Sequence, residues 1–372
     1  MSVPRTDVIV VGGGVIGVAV ADALAGRGIK VVLLESHHVA RGASAGAAGL
    51  LAPLVEASGP GPFLELALAG RALFREEAPS IERDTGIDIG YRESGTLRVA
   101  EDAAAASELR QRVKWERERG LDVRWLSAAE VAALEPDLRQ DLEGALMSAD
   151  DHQVIAGRLT HALAQRSTQR GAWILEGVGA DFLLSVGHGA RAKVVGVRTS
   201  AREEYRSRWV VVAAGAYSSS PYSGIPVGPV KGQLVYLRAR DAVVSHPIFA
   251  DSVYLAPKAD GRLVVGATEE DAGYDTSVSD AVSETLVERA CALVPALRAA
   301  SVDGAWAGLR PATPDRLPVI GAATGTDGLL LATGHFRNGI LLSLITGRII
   351  AALVAGEPPP VDIAAFSPAR FA

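Results

Sequence analysis

The hydrophobic pattern changes twice within the first fifty residues. A continuous apolar run, DVIVVGGG, precedes VIGVAVADALAGRG, in which small and apolar residues recur at helical spacing, and a second apolar run, KVVLLES, follows. Continuous apolar runs of this length are typical of buried parallel strands, while the middle segment has the periodicity of a helix packed on a sheet. Residues 7–35 are therefore predicted to form one βαβ unit.

Further along the chain, helical and strand patterns alternate without an internal repeat. Helical periodicity covers 63–78, 102–120, 155–169 and 279–299. A shorter helix at SAAEVAALEP has Ser127 as its N-cap and Glu130 three residues later, which is the arrangement of a capping box. Strand patterns occur at GTLRVA, AWILEG, FLLSVG, AKVVGVRTS, SRWVVVAAGA and GLLLATG.

The C-terminal half adds a sheet and a helix to this pattern. The runs PVKGQLVYLRA, SVYLAPKADG and GRLVVGAT lie within residues 229–268 and are joined by turns, including Ala259-Asp260-Gly261, so they predict an antiparallel meander. The segment HFRNGILLSLITGRIIAALVAG predicts a last helix that ends at Gly356, ahead of three prolines.

Composition limits the classes of protein to which this fold can belong. The chain has 372 residues, 48% hydrophobic and 22% charged, so two domains with their own cores are expected. A net charge of -6 without a basic tract argues against nucleic acid as a partner, and no apolar run reaches the ~18 residues of a membrane span. The single cysteine, Cys291, lies in an apolar helical stretch and fits a reducing compartment, so we expect a soluble cytoplasmic protein.

Three glycines at the first strand-to-helix turn form the pattern G-x-G-x-x-G. Gly12 permits the tight turn, Gly14 lets the backbone approach a pyrophosphate, and Gly17 lets helix and strand pack closely. Glu35 ends the second strand, where it can accept hydrogen bonds from ribose hydroxyls. The alternative is a glycine-rich turn without a ligand, but strand, helix, second strand and acid all fall in register. A dinucleotide site is therefore predicted, with NAD and FAD both open.

The segment after this unit favours an extended ligand. Residues 41–53, RGASAGAAGLLAP, are almost all small, as expected where backbone passes close to a cofactor, and Ser44 is available for phosphate or ribitol. The alternative is a flexible surface loop.

Several motifs together resemble the glycine oxidases, thiamine-pathway members of the D-amino-acid oxidase superfamily of FAD-dependent oxidoreductases. They are VVGGGVIG with ES at the second strand end, GAAGLLAP, PVKGQ, RLVVGAT, WAGLRPATPDRLPVIG and GHFRNGILL. The resemblance implies an α/β fold: a Rossmann-like FAD-binding domain formed by residues 1–80, 145–228 and 304–372. It also implies an α+β substrate-binding domain, with an antiparallel sheet, formed by residues 81–144 and 229–303.

The resemblance also assigns site residues. The family's carboxylate-binding arginine falls on Arg310, its pocket tyrosine on Tyr254 and a second active-site arginine on Arg337, while Ala52 is a small residue near the flavin. The predicted cofactor-binding residues are Gly12, Gly14, Val15, Ile16, Gly17, Glu35, Ser36, Ala43, Ser44, Ala48, Gly49, Leu50, Ala180, Gly215, His335, Phe336, Arg337, Asn338, Gly339, Ile340 and Leu341. Without the family, Arg310 would be interpreted as an interface ion pair and Tyr254 as a residue of an amphipathic sheet.

Glu269 departs from the family pattern. It follows VVGAT, where the glycine oxidases have an apolar pocket residue. A carboxylate there could repel a second acidic group and favour a cationic or neutral amine, or it could turn to solvent. We therefore include Glu269 among the predicted substrate-binding residues.

The implied chemistry is hydride transfer from the substrate α-carbon to flavin N5 without a side-chain base. His335 invites the role of base, but it belongs to the stretch that lines the flavin, and the N-terminus of the last helix would stabilise the reduced ring. With FAD bound noncovalently, glycine, sarcosine or a small D-amino acid would give an imine, then glyoxylate or another oxo acid, ammonia and hydrogen peroxide. We further expect oxygen as acceptor, a homo-oligomer, and a thiazole synthase as possible recipient of the imine.

Other interpretations remain open at this point. An amino-acid dehydrogenase of the same superfamily would pass electrons to a quinone or partner protein, a flavin-binding module would have no activity, and the βαβ unit alone would allow an NAD-dependent dehydrogenase. No metal site is expected, because Asp150, Asp151 and His152 are adjacent in sequence and are interpreted as a solvated turn.

Overall fold

The computed structural model describes residues 6–187, 192–239 and 243–372. Residues 1–5 of the predicted first domain segment and residues 240–242 of the predicted meander lie outside these ranges. The helices are α1 (Val15–Ala25), α2 (Ala43–Gly46), α3 (Pro53–Glu56), α4 (Pro62–Thr85), α5 (Ala103–Glu118), α6 (Ala128–Leu134), α7 (Ala156–Gln169), α8 (Asp280–Leu293) and α9 (Ser343–Ala355).

The strands alternate with these helices in the N-terminal half and dominate the centre of the chain. They are β1 (Val8–Val11), β2 (Val31–Glu35), β3 (Leu50–Leu51), β4 (Thr96–Ala100), β5 (Val123–Ser127), β6 (Gly144–Ser148), β7 (His152–Gln153), β8 (Trp173–Glu176), β9 (Ala180–Val186), β10 (Lys193–Thr199), β11 (Glu204–Arg206), β12 (Trp209–Val212), β13 (Gly228–Arg238), β14 (Ile248–Phe249), β15 (Tyr254–Pro257), β16 (Leu263–Gly266), β17 (Ser301–Ala312), β18 (Val319–Ala322) and β19 (Leu329–Thr333).

One six-stranded sheet has the order β18-β19-β12-β1-β2-β8. All its neighbouring strands are parallel except β18 and β19. Its central strands are buried on both faces, with α1, α7 and α9 in the same apolar core. This confirms the predicted βαβ unit and the Rossmann-like character of the fold, because continuous apolar strands need cover on both faces.

An eight-stranded sheet has the order β17-β13-β16-β15-β14-β4-β6-β5. Its pairs are antiparallel except β14 with β4. One face packs on α8 through a separate apolar core. The meander prediction was right about three antiparallel strands but wrong about their order, because β16 pairs with both β13 and β15 and lies between them.

Two of the predicted domain boundaries fall inside strands of this sheet. The boundary at residue 145 cuts β6, which pairs with β4 and β5, and the boundary at 304 cuts β17, which pairs with β13 along almost its whole length. Composition does not change at these points, so sequence patterning had no signal for the crossings. The division of the chain into two domains stays a prediction.

Helices α4 and α8 end at residues other than those predicted. Helix α4 continues through Pro79 to Thr85, because Ile81 is fully buried beyond the proline and Gly86 ends the helix in the left-handed conformation. Helix α8 ends at Leu293 rather than residue 299, because Pro295 forces the preceding residue, Val294, out of the helical region, and a 3₁₀ turn follows. The capping box at Ser127 and Glu130 is confirmed.

The last helix begins later than predicted. Phe336 has a φ of 49°, which interrupts helical geometry, so a 3₁₀ turn at Phe336–Asn338 precedes α9 and the helix begins at Ser343. Gly356 ends it in the left-handed conformation, as predicted. Among the described residues, no helix combines the length and the apolar character needed to cross a bilayer.

Candidate active site

Other backbone atoms lie very close to the turn between β1 and α1. Gly12 has a φ of 110°, and a Cβ there would lie 2.5 Å from the carbonyl oxygen of Ala213 at the end of β12. A Cβ at Gly17 would overlap the carbonyl oxygen of Gly12. Gly17 therefore has the helix-packing role predicted for it, and it does not line the cavity described below.

Ser44 and Glu35 fix the two sides of this turn. The backbone N–H of Val15, at the start of α1, donates to Ser44 Oγ over 2.9 Å. The Glu35 carboxylate accepts hydrogen bonds from the backbone N–H groups of Gly13, at 2.6 Å, and His37, at 2.8 Å. Its carboxylate is thus held at the end of β2, beside the glycine turn, where a ribose would lie.

A cavity of about 1320 Å³ is bounded by the carboxyl ends of β1 and β12 and by one face of the eight-stranded sheet. Its volume exceeds the ~300–1,000 Å³ of ordinary small-molecule pockets, so it is large enough for a dinucleotide and a small substrate together. The predicted cofactor-binding residues that line it are Gly12, Gly14, Val15, Ile16, Glu35, Ser36, Ala43, Ser44, Ala48, Gly49, Leu50, Ala180, Gly215, His335, Phe336, Arg337, Asn338, Gly339 and Ile340.

Leu341 is the other predicted cofactor residue that does not line the cavity. Its side chain is 1% exposed within the core, and a Cβ at Gly70 of α4 would lie 2.7 Å from its carbonyl oxygen. Leu341 therefore packs against α4. Because α9 begins after it, the lining is supplied by the turn before the helix rather than by the helix itself.

His335 offers a test of whether FAD fits this cavity. Its Nε2 atom is 3.0 Å from Thr346 Oγ1, whereas Nδ1 is buried without a partner among the described residues. Burial lowers the pKa of His335 to about 3, so the ring is neutral at physiological pH. A buried polar atom without a partner, on a residue that lines the same cavity as the glycine turn, fits a polar cofactor edge, and a ring this weakly basic is a poor general base.

Two glycines form the floor beneath the predicted carboxylate-binding residues. A Cβ at Gly266 would lie 2.5 Å from the Tyr254 hydroxyl, and a Cβ at Gly232 would overlap the Arg310 guanidinium. Gly266 pairs with Leu234, two residues from Gly232, so the two glycines are diagonal neighbours on adjacent strands, roughly 7–8 Å apart. The phenol and the guanidinium therefore lie side by side in the cavity.

Burial shifts the pKa values of Arg310 and Tyr254. The Arg310 Nη1 atom donates to the carbonyl oxygen of Thr268 over 2.9 Å, which fixes the side chain. Desolvation lowers the pKa of Arg310 and raises the pKa of Tyr254 to about 12, so Tyr254 keeps its proton. A protonated phenol and a guanidinium are both donors, as an anionic carboxylate requires.

Arg337 and Ala52 also line the cavity, and Arg337 has a partner that the sequence did not indicate. Its guanidinium is 3.1 Å from the carboxylate of Glu56, in α3, and both residues and Ala52 line the cavity. No motif marks Glu56, because it follows the small-residue segment as an ordinary acid of a short helix.

Glu269 does not line the cavity, so its inclusion among the substrate-binding residues is not supported, and it follows the other alternative, a side chain turned to solvent. Its carboxylate forms an ion pair with Arg316, which also lies over the Phe336 ring at 4.9 Å. The Arg316 guanidinium holds the Glu269 carboxylate outside the cavity. Sequence spacing did not reveal this pair.

The interpretation of Asp150, Asp151 and His152 as a solvated turn holds for Asp150 but was wrong for the other two, which are buried. The Arg71 guanidinium is 3.2 Å from the Asp151 carboxylate, the Thr96 hydroxyl donates to that carboxylate over 2.7 Å, and the Tyr91 hydroxyl is 2.8 Å from His152 Nδ1. His152 pairs with Leu51 across β7 and β3, and burial lowers its pKa to about 4. No group of His, Cys, Asp or Glu within the described ranges could hold a metal ion.

Comparison with known proteins agrees with this geometry. Residues 7–353 match the family DAO, FAD dependent oxidoreductase. A glycine oxidase from Geobacillus kaustophilus is 36% identical over 98% of this chain and 97% of its own length. The bifunctional protein ThiO/ThiG of Synechocystis sp. is 35% identical over 98% of this chain, which spans 54% of that protein.

A solved structure gives the same result for the fold. The crystal structure of glycine oxidase from Geobacillus kaustophilus has a TM-score of 0.93 to this protein, with 36% identity and 98% of each chain covered. The predicted α/β fold and the FAD cofactor are thereby confirmed. The chain belongs to the DAO family of FAD-dependent oxidoreductases.

Proposed function

We propose that this protein oxidises glycine or a similarly small amine, such as sarcosine or a small D-amino acid, at its α-carbon. The observation that carries the proposal is the placement of Tyr254 and Arg310 side by side over Gly266 and Gly232, inside the cavity that the cofactor residues line. The planar fork of an arginine can form two parallel hydrogen bonds to one carboxylate, which a lysine cannot.

One small residue of the cavity lining and the named relatives support a small amino-acid substrate. Ala52 is 3% exposed and contributes only a methyl group to the lining. Relatives over nearly the whole chain are named glycine oxidase. In the proposed complex, Arg310 and Tyr254 hold the substrate carboxylate, and Arg337 adds positive charge nearby.

The overall reaction proposed for glycine consumes oxygen and water and yields glyoxylate, ammonia and hydrogen peroxide. Bound FAD would accept a hydride from the α-carbon, and the two electrons that this hydride carries would then reduce oxygen to hydrogen peroxide. The protein orients the carboxylate so that the α-carbon has one position in the cavity. It provides no side-chain base in this proposal, since a pKa of about 3 makes His335 a weak proton acceptor and its Nε2 atom is engaged by Thr346.

We also propose a thiazole synthase as the recipient of the imine product. The support is the Synechocystis relative, in which the part matched by this chain belongs to a protein named ThiO/ThiG. An imine hydrolyses in water, so transfer would require the two active sites to lie close together. Imine consumption by an added thiazole synthase, measured as a reduced yield of glyoxylate, tests this part separately.

Anaerobic reduction of the flavin tests the function directly. Glycine, sarcosine or D-alanine should bleach the oxidised absorbance of the wild-type protein, and Arg310→Gln should retain FAD but lose bleaching at the same substrate concentration. Failure of all three amines to bleach the flavin would overturn the assignment. Peroxide release in air separates an oxidase from a dehydrogenase that delivers electrons to a quinone or partner.

A further inference from the structure

One row of the eight-stranded sheet continues the cavity beyond the substrate-binding residues. Residues paired directly across neighbouring strands point to the same face of a sheet. The row crosses β4, β14, β15, β16, β13 and β17, and its members are Arg98, Phe249, Tyr254, Gly266, Leu234 and Trp306. All six line the cavity. Arg98 therefore faces the same space as Tyr254.

Arg98 is too distant to contact glycine held at Tyr254. Two strand spacings separate Arg98 from Tyr254, so their Cα atoms are about 10 Å apart. Phe249 lies between them, and its ring centroid is 5.8 Å from that of Tyr254. The Tyr254 phenol lies over Gly266, on the side away from Arg98. A substituent longer than that of glycine is needed to reach Arg98.

The Arg98 guanidinium has unmet hydrogen-bonding capacity. Its Nη1 atom is buried and has no hydrogen-bond partner in the part of the chain that the structure describes, and desolvation lowers the pKa of Arg98. A buried donor without a partner costs free energy relative to one that is paired. Because Nη1 itself is buried, a rotation of the Arg98 side chain that turns this atom toward the cavity would let a ligand carboxylate bind the guanidinium in a two-pronged arrangement.

The charged groups around Arg98 do not replace such a ligand. Glu116 is 2.6 Å from the Arg112 Nε atom, and Glu56 is paired with Arg337. Glu108 is exposed and lines the cavity at α5. Glu56 is thus engaged by another arginine and Glu108 is open to water. The Glu116 carboxylate lies against Arg112, but its oxygens have no hydrogen-bond partner among the described residues, and its charge also acts on Arg98.

Apolar side chains form part of the approach to Arg98, beside the Glu108 carboxylate. Ala100, on the same face of β4, packs with Leu109 of α5 in one apolar cluster, and Leu109, Val55 and Phe249 line the cavity. Methylene groups of a substrate would be favourable against these walls. This part of the cavity therefore has apolar side chains along the approach and the Arg98 guanidinium at its end.

We propose that Arg98 is a second anion-binding subsite, which takes the distal carboxylate of an amino dicarboxylate whose chain extends over Phe249. This inference rests on the proposed function, because Arg310 and Tyr254 hold the first carboxylate. The ligand class is a D-amino acid with a terminal carboxylate on an extended aliphatic chain.

A pair of substrates that differ only at the chain end tests the subsite. D-2-aminoadipate and D-norleucine differ in their terminal carboxylate and methyl groups, and D-glutamate with D-norvaline forms a pair one methylene shorter. Dissociation constants come from perturbation of the oxidised flavin spectrum, and reduction rates from anaerobic mixing. In the wild-type holoenzyme the carboxylate member of the matching pair should bind about 10-fold or more tightly than its neutral partner.

Substitutions at Arg98 should remove this preference. Arg98→Gln is expected to bring the ratio of dissociation constants close to one, and Arg98→Lys should give an intermediate ratio because the charge stays and the fork is lost. Arg110→Gln is the matched control, since Arg110 is exposed and lies over the Trp125 ring at 4.6 Å. The wild-type ratio should persist in that variant.

Two outcomes overturn the inference. The inference fails without any variant if, for both chain lengths, the dissociation constant of the neutral ligand divided by that of the carboxylate ligand is one or below in the wild-type protein. The inference also fails if Arg98→Gln leaves this ratio of dissociation constants unchanged. A lower melting temperature of the same variant would then mean that Arg98 only balances the charges of Glu108 and Glu116. Glycine bleaching tests the proposed function independently, and the ratio of dissociation constants tests the subsite even where no amine reduces the flavin.

Discussion

The Glu56 carboxylate lies 3.1 Å from the Arg337 guanidinium and so connects α3 to the turn that follows β19. The two residues are 281 positions apart in the sequence (337 minus 56), and both line the cavity. Their side chains are 20% and 46% exposed. The pair therefore positions an arginine at the cavity while adding little to stability, since exposed pairs contribute at most about 1 kcal/mol.

Glu56→Gln should raise the KM for the amine substrate about 10-fold and change kcat less, because Arg337 loses the charge that orients it. The melting temperature should shift by less than about 3 °C. Steady-state kinetics and thermal unfolding of the holoenzyme check both expectations. Glu65→Gln, at an exposed position of α4, is the control. A fall in kcat at unchanged KM would contradict a positioning role.

Gly232→Ala should behave like a loss of Arg310, because the added methyl group occupies the space of the guanidinium. We expect kcat/KM for glycine to fall by about 10- to 100-fold while FAD stays bound. Gly228→Ala provides a matched control on the same strand, since a Cβ there meets nothing within 4 Å. Equal kinetics for the two variants would show that the guanidinium does not need this position.

The sequence predicted the site residues best where one strand or turn positions them. Gly12 and Glu35 lie within a single βαβ unit, whose period and spacing are visible locally. The pairing of Glu56 with Arg337 and that of Glu269 with Arg316 depend on contacts between distant segments. Neither pair has a periodic signal, so the first was missed and the second, which decides between the two orientations left open for Glu269, could not be foreseen.

Burial of polar groups was the other feature that the sequence concealed. Asp151 and His152 are adjacent polar residues, which is typical of a turn, yet Arg71 and Thr96 make the burial of Asp151 possible. In the same way, Arg98 is the one charged residue of β4, a pattern equally typical of an exposed edge. Only the register of β4 with β14 shows that it faces the cavity.

His335 should make folding stability depend on acidity. Burial lowers its pKa to about 3 from 6.5. Between these values the unfolded chain binds a proton that the folded protein excludes, so the free energy of unfolding falls as pH falls from 6.5 toward 3. From pH 7 to pH 5 this amounts to about 2 kcal/mol.

His335→Asn should reduce the loss of unfolding free energy between pH 7 and pH 5 by that amount. Urea unfolding of the two holoproteins, followed by tryptophan fluorescence, measures the difference. His161→Asn serves as the control, because His161 is exposed on α7. The same pH dependence in wild type and His335→Asn would mean that this ring can bind a proton in the folded state.

Glu269→Gln should change kcat/KM for glycine by less than about 3-fold, because the ion pair with Arg316 keeps the carboxylate outside the cavity. Removing Arg316 is the sharper experiment. Arg316→Gln releases the Glu269 charge, which acts electrostatically on Arg310, and it should weaken the binding of a substrate carboxylate there. Adding Glu269→Gln in that background should restore the KM, since the released charge is then gone. If Glu269→Gln alone raises or lowers the KM more than about 10-fold, the carboxylate reaches the substrate and the original sequence expectation holds.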